Sequence, residues 1–202
     1  MKSEIAASMQ AAKLMLVFTL LLGGGYTLIM TGLAQLFFPM QAAGSLHWSE
    51  DHTVLYGSRL MGQPFAADNH LWGRDMKLTA DTFRAADDTP LLYGTATNEA
   101  VKSEAFATRV AARTAYIRAA HPEMGDTPVP VDLVTVSGSG LDPDISPAAA
   151  AYQVRRLART TGRSEAEIQD IIASCTQGRF LGIFGEPRVN VAEVNLRLDG
   201  KR

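Results

Sequence analysis

Apolar positions divide the chain into one long uninterrupted stretch and a longer, patterned remainder. No charged residue occurs between Lys13 and Glu50, and residues 14–38 are almost entirely apolar. A helix needs about 20 such residues, each rising about 1.5 Å, to cross roughly 30 Å of hydrocarbon. The pattern predicts a transmembrane helix over residues 14–38, a short segment 1–13 before it and one domain over residues 39–202 after it.

The charges beside this stretch predict its orientation, because Lys and Arg are retained on the cytoplasmic side of a membrane. Lys2 and Lys13 precede it, whereas the next Lys or Arg is Arg59, which follows Glu50 and Asp51. We therefore expect a cytoplasmic N-terminus and an extracytoplasmic domain.

A cleaved signal peptide is the competing interpretation of the same stretch. Its apolar region is usually only about 7 to 15 residues and ends at an Ala-x-Ala-like site. Gln41-Ala42-Ala43 places a bulky polar residue where the first small one is expected. Length and this mismatch favour an uncleaved anchor.

Small and polar residues recur every fourth position within the predicted span, and so form one ridge along an α-helix. Small residues at this spacing let another helix approach closely, and Thr and Gln can hydrogen-bond across the contact. The alternative is that glycine is simply common in membrane helices. We favour a docking face for a partner helix, formed by Thr19, Gly23, Thr27, Thr31 and Gln35.

The first half of the remaining chain predicts few regular elements. Partial alternation indicates a short strand within Val54–Gln63, and residues 64–98 are polar and broken by glycine and proline, which is typical of loop-rich surface. Glu99–Ala120 carries an apolar face and predicts a helix. Val129–Val136 is rich in β-branched residues and predicts a strand.

Capping signals define a pair of helices in the second half. Ser146-Pro147 is a helix entry and Gly162 its end. A capping box at Ser164–Glu167 starts a second helix, with Cys175 on its apolar side and Gly178 at its end. Residues 189–198 fit either a strand or a helix. The predicted fold class is α+β: a single N-terminal transmembrane helix followed by one mixed α/β extracytoplasmic domain.

The composition excludes some kinds of function but does not indicate a particular one. The chain has 202 residues, a net charge of -2 and mean hydropathy of +0.01, so no basic patch indicates nucleic acid as a partner. Its one cysteine, Cys175, excludes an intramolecular disulfide.

Candidate chemistry is weak along the whole sequence. Ser137–Gly140 follows a predicted strand, but a phosphate loop needs a lysine and a hydroxyl after its glycines, and Asp142 and Asp144 stand there instead. Ser139 lacks the Gly-x-Ser-x-Gly elbow of a hydrolase nucleophile. The four histidines lack the paired spacing of metal ligands. We therefore predict no catalytic residue and no metal site.

Three sequence segments resemble the C subunit of the bacterial Kdp potassium-transporting P-type ATPase. They are residues 129–147 with 152–154, residues 57–65 and residues 185–196; with the N-terminal span they cover nearly the full length. The family-motif residues are Asp142, Pro143, Glu186, Asn190 and Asn195. The chain departs from the family pattern at Leu71–Asp75, near Gly94–Asn98, and at Asp144.

This resemblance implies a non-catalytic subunit in the bacterial inner membrane, with its domain in the periplasm. Its partners would be the potassium-conducting, ATP-hydrolysing and small membrane subunits of the pump, and the lipid bilayer. ATP and Mg2+ would be used by the partner and K+ transported by the complex, with no cofactor on this chain. Its role would be assembly and stability of the complex and support of potassium-stimulated ATP hydrolysis.

The family description leaves an alternative role as a catalytic chaperone, which raises ATP affinity by direct nucleotide contact. That contact would involve Ser137, Gly138, Ser139, Gly140 and Gln153. The predicted topology argues against it, because ATP is not bound outside the cytoplasm. A more distant alternative is a free-standing bitopic periplasmic enzyme or adhesion module.

Overall fold

The computed structural model describes residues 2–201 and separates into two compact units, Met1–Leu46 and His47–Arg202. The first unit is helical. It contains α1 (Lys2–Phe18), a π-helix (Thr19–Tyr26), α2 (Thr27–Phe37) and a short α3 (Pro39–Ala42).

The first three of these segments form one continuous apolar helix. It runs over Ser3–Phe37, and its most apolar window has a mean hydropathy of 1.9 with no residue buried in the chain itself. Among residues 2–201 it is the one helix long and apolar enough to cross a membrane. The helix is thus long and apolar enough for the predicted membrane span, and it begins well before residue 14.

The second unit combines short strands with five helices. An antiparallel three-stranded sheet has the order β5-β7-β6, with Ile145 opposite Val189 and Thr176 also opposite Val189. Two further pairs, β1-β2 and β3-β4, are separate. The elements are β1 (Leu46–Trp48), β2 (Leu55–Ser58), β3 (Leu78–Thr79), β4 (Tyr93–Gly94), α4 (Glu104–Ala120), β5 (Asp144–Ile145), α5 (Pro147–Tyr152), α6 (Val154–Thr161), α7 (Glu165–Ser174), β6 (Thr176–Gln177), β7 (Arg188–Asn190) and α8 (Val191–Leu198).

The core of this unit lies where α5 to α8 meet the three-stranded sheet. Leu157, Ile168, Val189 and Val194 are fully buried there. The predicted capping signals hold: the Ser146 hydroxyl accepts from Ala149 N, and Ser164 with Glu167 forms a capping box. Gly162 ends α6 in the left-handed region, at φ +73°. Cys175 is buried, as its place on the apolar side predicted.

The predicted strand over Val129–Val136 is wrong. The structure has a 3-10 turn at Val131–Leu133, and the Thr135 hydroxyl donates to the Val131 carbonyl at 2.8 Å. Arg113 Nε donates to the Leu133 carbonyl, and Val134 N donates to the Val131 carbonyl, so turn and side-chain hydrogen bonds replace those of a strand ladder. Only Val136 makes an isolated bridge, to Asp75.

Other predicted boundaries also shift. Residues 64–98 are not all surface, because Leu71 and Trp72 are in the core. Helix α4 begins at Glu104, where the Ser103 hydroxyl accepts from Phe106 N. The long helix after Ser146 is interrupted at Gln153, and α7 ends at Ser174 rather than Gly178.

Residues 189–198, which fitted either a strand or a helix, contain the end of a strand and then a helix. Strand β7 ends at Asn190, whose side-chain oxygen accepts from Glu193 N at 3.1 Å and so caps α8. The alternating and helical patterns overlapped in the sequence because the change of structure occurs inside the window.

Candidate functional site

Two buried side-chain amides hold the backbone of residues 71 and 72. Gln153 accepts from Trp72 N and donates to Trp72 O, both at 2.9 Å. Asn195, on α8, accepts from Leu71 N at 2.7 Å and donates to Leu71 O at 3.0 Å. Each amide pairs with the backbone as a neighbouring strand would, so a segment without secondary structure is satisfied in the core.

Arg156 lies beside these amides and is only 1% exposed. It donates to the carbonyls of Asp68 and His70, and to Gln153 Oε1 at 2.7 Å. Its guanidinium carbon is 4.0 Å from the centre of the Trp72 ring. Burial lowers the pKa of Arg156 to about 10, so the group is still charged at neutral pH. Gln153, Arg156 and Asn195 are called the clamp below.

His121 completes the hydrogen bonding of the clamp. Arg156 Nε donates to His121 Nε2 at 2.9 Å, and His121 Nδ1 donates to the Ile117 carbonyl at 2.7 Å. This pairing requires a neutral ring. Burial, together with the Arg156 charge, lowers the pKa of His121 and so favours the neutral form.

The Ser137–Gly140 segment is a turn, as its composition predicted. The Ser137 hydroxyl accepts from Gly140 N at 2.9 Å, and the Ser139 hydroxyl accepts from Leu141 N at 3.1 Å. A Cβ added to Gly140 would lie 2.5 Å from the Thr95 carbonyl oxygen, whereas one added to Gly138 would meet nothing within 4 Å. The turn is therefore packed on one side and open on the other.

The structure does not join Gln153 to this turn. Within residues 2–201 no hydrogen bond links Gln153 with Ser137, Gly138, Ser139 or Gly140. Gln153 is fully buried, and both atoms of its amide are engaged by Trp72, Ala149 and Arg156.

Three family-motif residues gather where β5 pairs with β7. Asp142 Oδ1 accepts from Asp144 N, and the Pro143 carbonyl accepts from Val191 N, both at 3.0 Å. Asn190 Nδ2 donates to Asp144 Oδ1 and to the Arg59 carbonyl. Burial raises the pKa of Asp144. Asp142 and Asp144 also line an open depression of about 320 Å³, together with Glu186, which pairs with Arg179 at 2.7 Å.

The membrane helix departs from α-helical geometry within the predicted docking ridge. Thr19, Gly23 and Tyr26 lie in the π-helix, whose hydrogen bonds run from i to i+5. The Thr27 hydroxyl donates to the Leu22 carbonyl, five residues earlier, at 3.0 Å. The hydrogen bonding therefore changes from i+5 to i+4 inside the ridge, whose last two residues, Thr31 and Gln35, lie in α2.

Internal packing does not explain the glycines of this helix. A Cβ added at Gly24 or Gly32 would meet nothing within 4 Å, and one at Gly23 would reach only Thr19 Cγ2 at 4.0 Å. These positions are open to an approaching neighbour.

The comparisons with known proteins agree over the full length. The family model described as "KdpC: K+-transporting ATPase, c chain" matches residues 8–200. The chain is 44% identical over 200 residues to the "Potassium-transporting ATPase KdpC subunit" of Clostridium botulinum (strain Eklund 17B / Type B), covering 99% of this chain and 98% of that protein. The chain belongs to the KdpC family.

Further relatives of the same name support this membership. The Sorangium cellulosum protein is 47% identical over 192 residues, covering 95% of this chain and 96% of its own. The Methylobacterium nodulans protein is 48% identical over 186 residues, covering 90% of each chain. As a KdpC family member, the chain is an accessory subunit of a potassium-transporting ATPase rather than a catalytic enzyme in itself. The resemblance seen in the sequence is confirmed.

Arg156, His121 and Trp72 were not predicted from the sequence to act together. A signal was present, because Arg156 follows Gln153 by three residues and both flank the apolar positions Val154 and Leu157. Two polar residues on the inner side of a helix indicate buried hydrogen bonds.

Replacing Arg156 tests the clamp. Arg156→Met should lower the free energy of unfolding by about 3 kcal/mol, since each buried acceptor left unpaired costs about 1 to 3 kcal/mol. Urea unfolding of the full chain in detergent micelles, followed by the fluorescence of Trp48 and Trp72, measures this. The neighbouring Arg155 is exposed, so Arg155→Met should change stability by less than about 0.5 kcal/mol. Equal losses in the two variants would contradict the role of the clamp.

The two glycines of the turn provide a matched pair. Gly140→Ala should destabilise the chain by about 2 kcal/mol, because its φ of +72° and the Thr95 backbone both exclude a Cβ. Gly138→Ala should be tolerated within about 0.5 kcal/mol. The same unfolding assay decides, and a tolerated Gly140→Ala would show that the turn is not packed as described.

Proposed function

We propose that the chain is the non-catalytic assembly subunit of a potassium-uptake pump, required for stability of the complex and for potassium-stimulated ATP hydrolysis by a partner. One observation carries this proposal. No residue of the 35-residue helix Ser3–Phe37 is buried by the chain itself, so its apolar surface is available to lipid or other helices. Full-length similarity to proteins named as KdpC subunits supplies the kind of assembly.

The partners in this proposal are a potassium-conducting subunit, an ATP-hydrolysing subunit and a small membrane subunit, within a bacterial inner membrane. ATP and Mg2+ act on the hydrolysing partner, and K+ passes through the complex. This chain holds no cofactor in the proposal. Its contribution is structural, through the membrane helix and the surfaces of the second unit.

Direct nucleotide contact is not part of the proposed function. Gln153 has its amide enclosed in the core, and the serine hydroxyls of the turn accept from the turn's own amides. Asp142 and Asp144 add negative charge beyond the turn, where a phosphate would need a cation. Any effect on ATP affinity would then be transmitted through the partner subunits.

The orientation of the chain in the membrane tests whether the second unit can contact ATP. Asp87→Cys, on an exposed turn, should react with a membrane-impermeant thiol reagent in intact cells. Ser3→Cys, on the exposed helix start, should react only after lysis. Cys175 contributes little background because it is buried. The reverse labelling pattern would place the Ser137–Gly140 turn in the cytoplasm and support nucleotide contact.

Large side chains introduced on the predicted docking ridge test whether the membrane helix binds a partner helix there. Gly23→Leu with Thr31→Leu should weaken co-purification of the potassium-conducting subunit several-fold, since helix contacts of this kind are worth about 1 to 2 kcal/mol. Ile29→Ala with Leu33→Ala is the control, because both residues lie roughly opposite Thr31 on α2. Equal retention of the partner by both double variants would contradict a specific docking face on the ridge.

A further inference from the structure

The hydrogen bond between Arg156 and His121 can exist only while the histidine ring is neutral. A guanidinium has donors and no acceptor, so Arg156 Nε must donate to His121 Nε2, which lies 2.9 Å away. His121 Nδ1 then carries the single ring proton and donates to the Ile117 carbonyl at 2.7 Å. A second proton on the ring would occupy Nε2, the atom that accepts from Arg156.

Arg156 holds a segment that forms neither helix nor strand. This segment, residues 68–72, is called the clamped loop. The guanidinium donates to two of its backbone carbonyls, those of Asp68 and His70. It also donates to Gln153, whose amide binds Trp72. A displacement of Arg156 therefore removes two hydrogen bonds of the clamped loop directly and disturbs a third contact through Gln153.

The elements packed around His121 disfavour a charged ring. The titratable and charged groups that face it are Arg156 and Arg159 on α6, Glu123 in the 3-10 turn Pro122–Met124, Tyr152 on α5 and, beyond Arg156, Asp68 of the clamped loop. The ring is only 1% exposed. Burial is the main cause of its lowered pKa, the charge of Arg156 adds to it, and the Ile117 carbonyl and Glu123 oppose it only in part.

We propose that His121 is an acid-sensitive latch, which releases the clamped loop when its ring takes up a second proton. The imidazolium offers no acceptor to Arg156 Nε and places a second positive charge beside the guanidinium. Arg156 must then move away, and the carbonyls of Asp68 and His70 lose their donor. The latch lies within the second unit, so it does not depend on the proposed orientation of the chain.

Proton linkage gives the size and direction of the effect. The closed loop holds a neutral ring, whereas the ring of the open loop titrates like an exposed histidine, near pH 6.5. Opening therefore takes up one proton below this pH. Each pH unit between 6.5 and the lower pKa of the closed state then raises the open fraction about ten-fold. The closed loop is most stable above pH 6.5 and loses stability as the pH falls below it.

A second histidine of the clamped loop has the opposite dependence. His70 Nε2 lies 2.9 Å from Asp199 Oδ1. Protonation of His70 turns this contact into an ion pair, which would hold the loop more firmly in acid. The two histidines are therefore distinguished by the sign of their effect.

Amide hydrogen exchange measures opening of the clamped loop, because the amides of Leu71 and Trp72 donate to the clamp. Exchange is followed by NMR in the full chain in detergent micelles. Rates divided by those of an unstructured peptide at the same pH should rise about five- to ten-fold from pH 7.5 to 5.5. His121→Gln, whose amide accepts and donates at either pH, should abolish this rise. His70→Gln, the control in the same loop, should keep it.

Several outcomes would overturn the proposal. A rise that persists in His121→Gln, or that disappears in His70→Gln, would assign the pH dependence to another group. If Leu71 and Trp72 exchange no faster than the buried Ile168 on α7, the second unit opens as a whole and not at the loop.

The ring itself provides a check that needs no variant, and so decides even if His121→Gln does not fold. Nitrogen-15 NMR of His121 should show the proton on Nδ1 at pH 7.5, and a charged ring only over the pH range in which the loop opens. A ring that is charged at pH 7.5, or that stays neutral while the loop opens, would contradict the latch.

Discussion

The second unit depends on one buried cation that lacks a carboxylate partner within residues 2–201. Removing Arg156 from water is costly, and the structure offsets this with backbone carbonyls, an amide oxygen, a neutral His121 and the face of Trp72. These partners come from the end of α4, the start of α6 and the loop before Trp72. The charge can be satisfied only when all three segments are in place, so the clamp links their folding.

The loop held by the clamp leads to Asp75, whose contacts also fix neighbouring parts of the second unit. Asp75 follows Trp72 closely, bridges to Val136 and forms ion pairs with Arg109 at 3.5 Å and Arg113 at 3.9 Å on α4. Val136 in turn leads into the Ser137–Gly140 turn. The segment Leu71–Asp75 is thus held at both ends, by the clamp at its start and by α4 at Asp75.

Local signals in the sequence predicted local structure well, because caps act within one helical turn. Ser146 and the Ser164–Glu167 box begin helices as expected. Long-range partners were not predictable from such signals: Leu71 is internal because Asn195 meets its backbone, and the β-branched run around Val131 is held by side-chain hydrogen bonds instead of a ladder. The π-helix had only the three glycines as a hint. For the site, the resemblance pointed to Gln153 and Asn195, but not to Arg156 or His121.

Gln153 shows why a residue shared with a family motif does not by itself indicate a ligand contact. The nucleotide alternative assigns Gln153 to ATP contact. In the structure its amide instead makes the two backbone hydrogen bonds with Trp72 that a neighbouring strand would make. In this chain the amide is needed to satisfy the backbone of Trp72 inside the core. Two apolar surfaces are left exposed: the membrane helix with its open glycines, and the turn that carries Phe180 and Phe184.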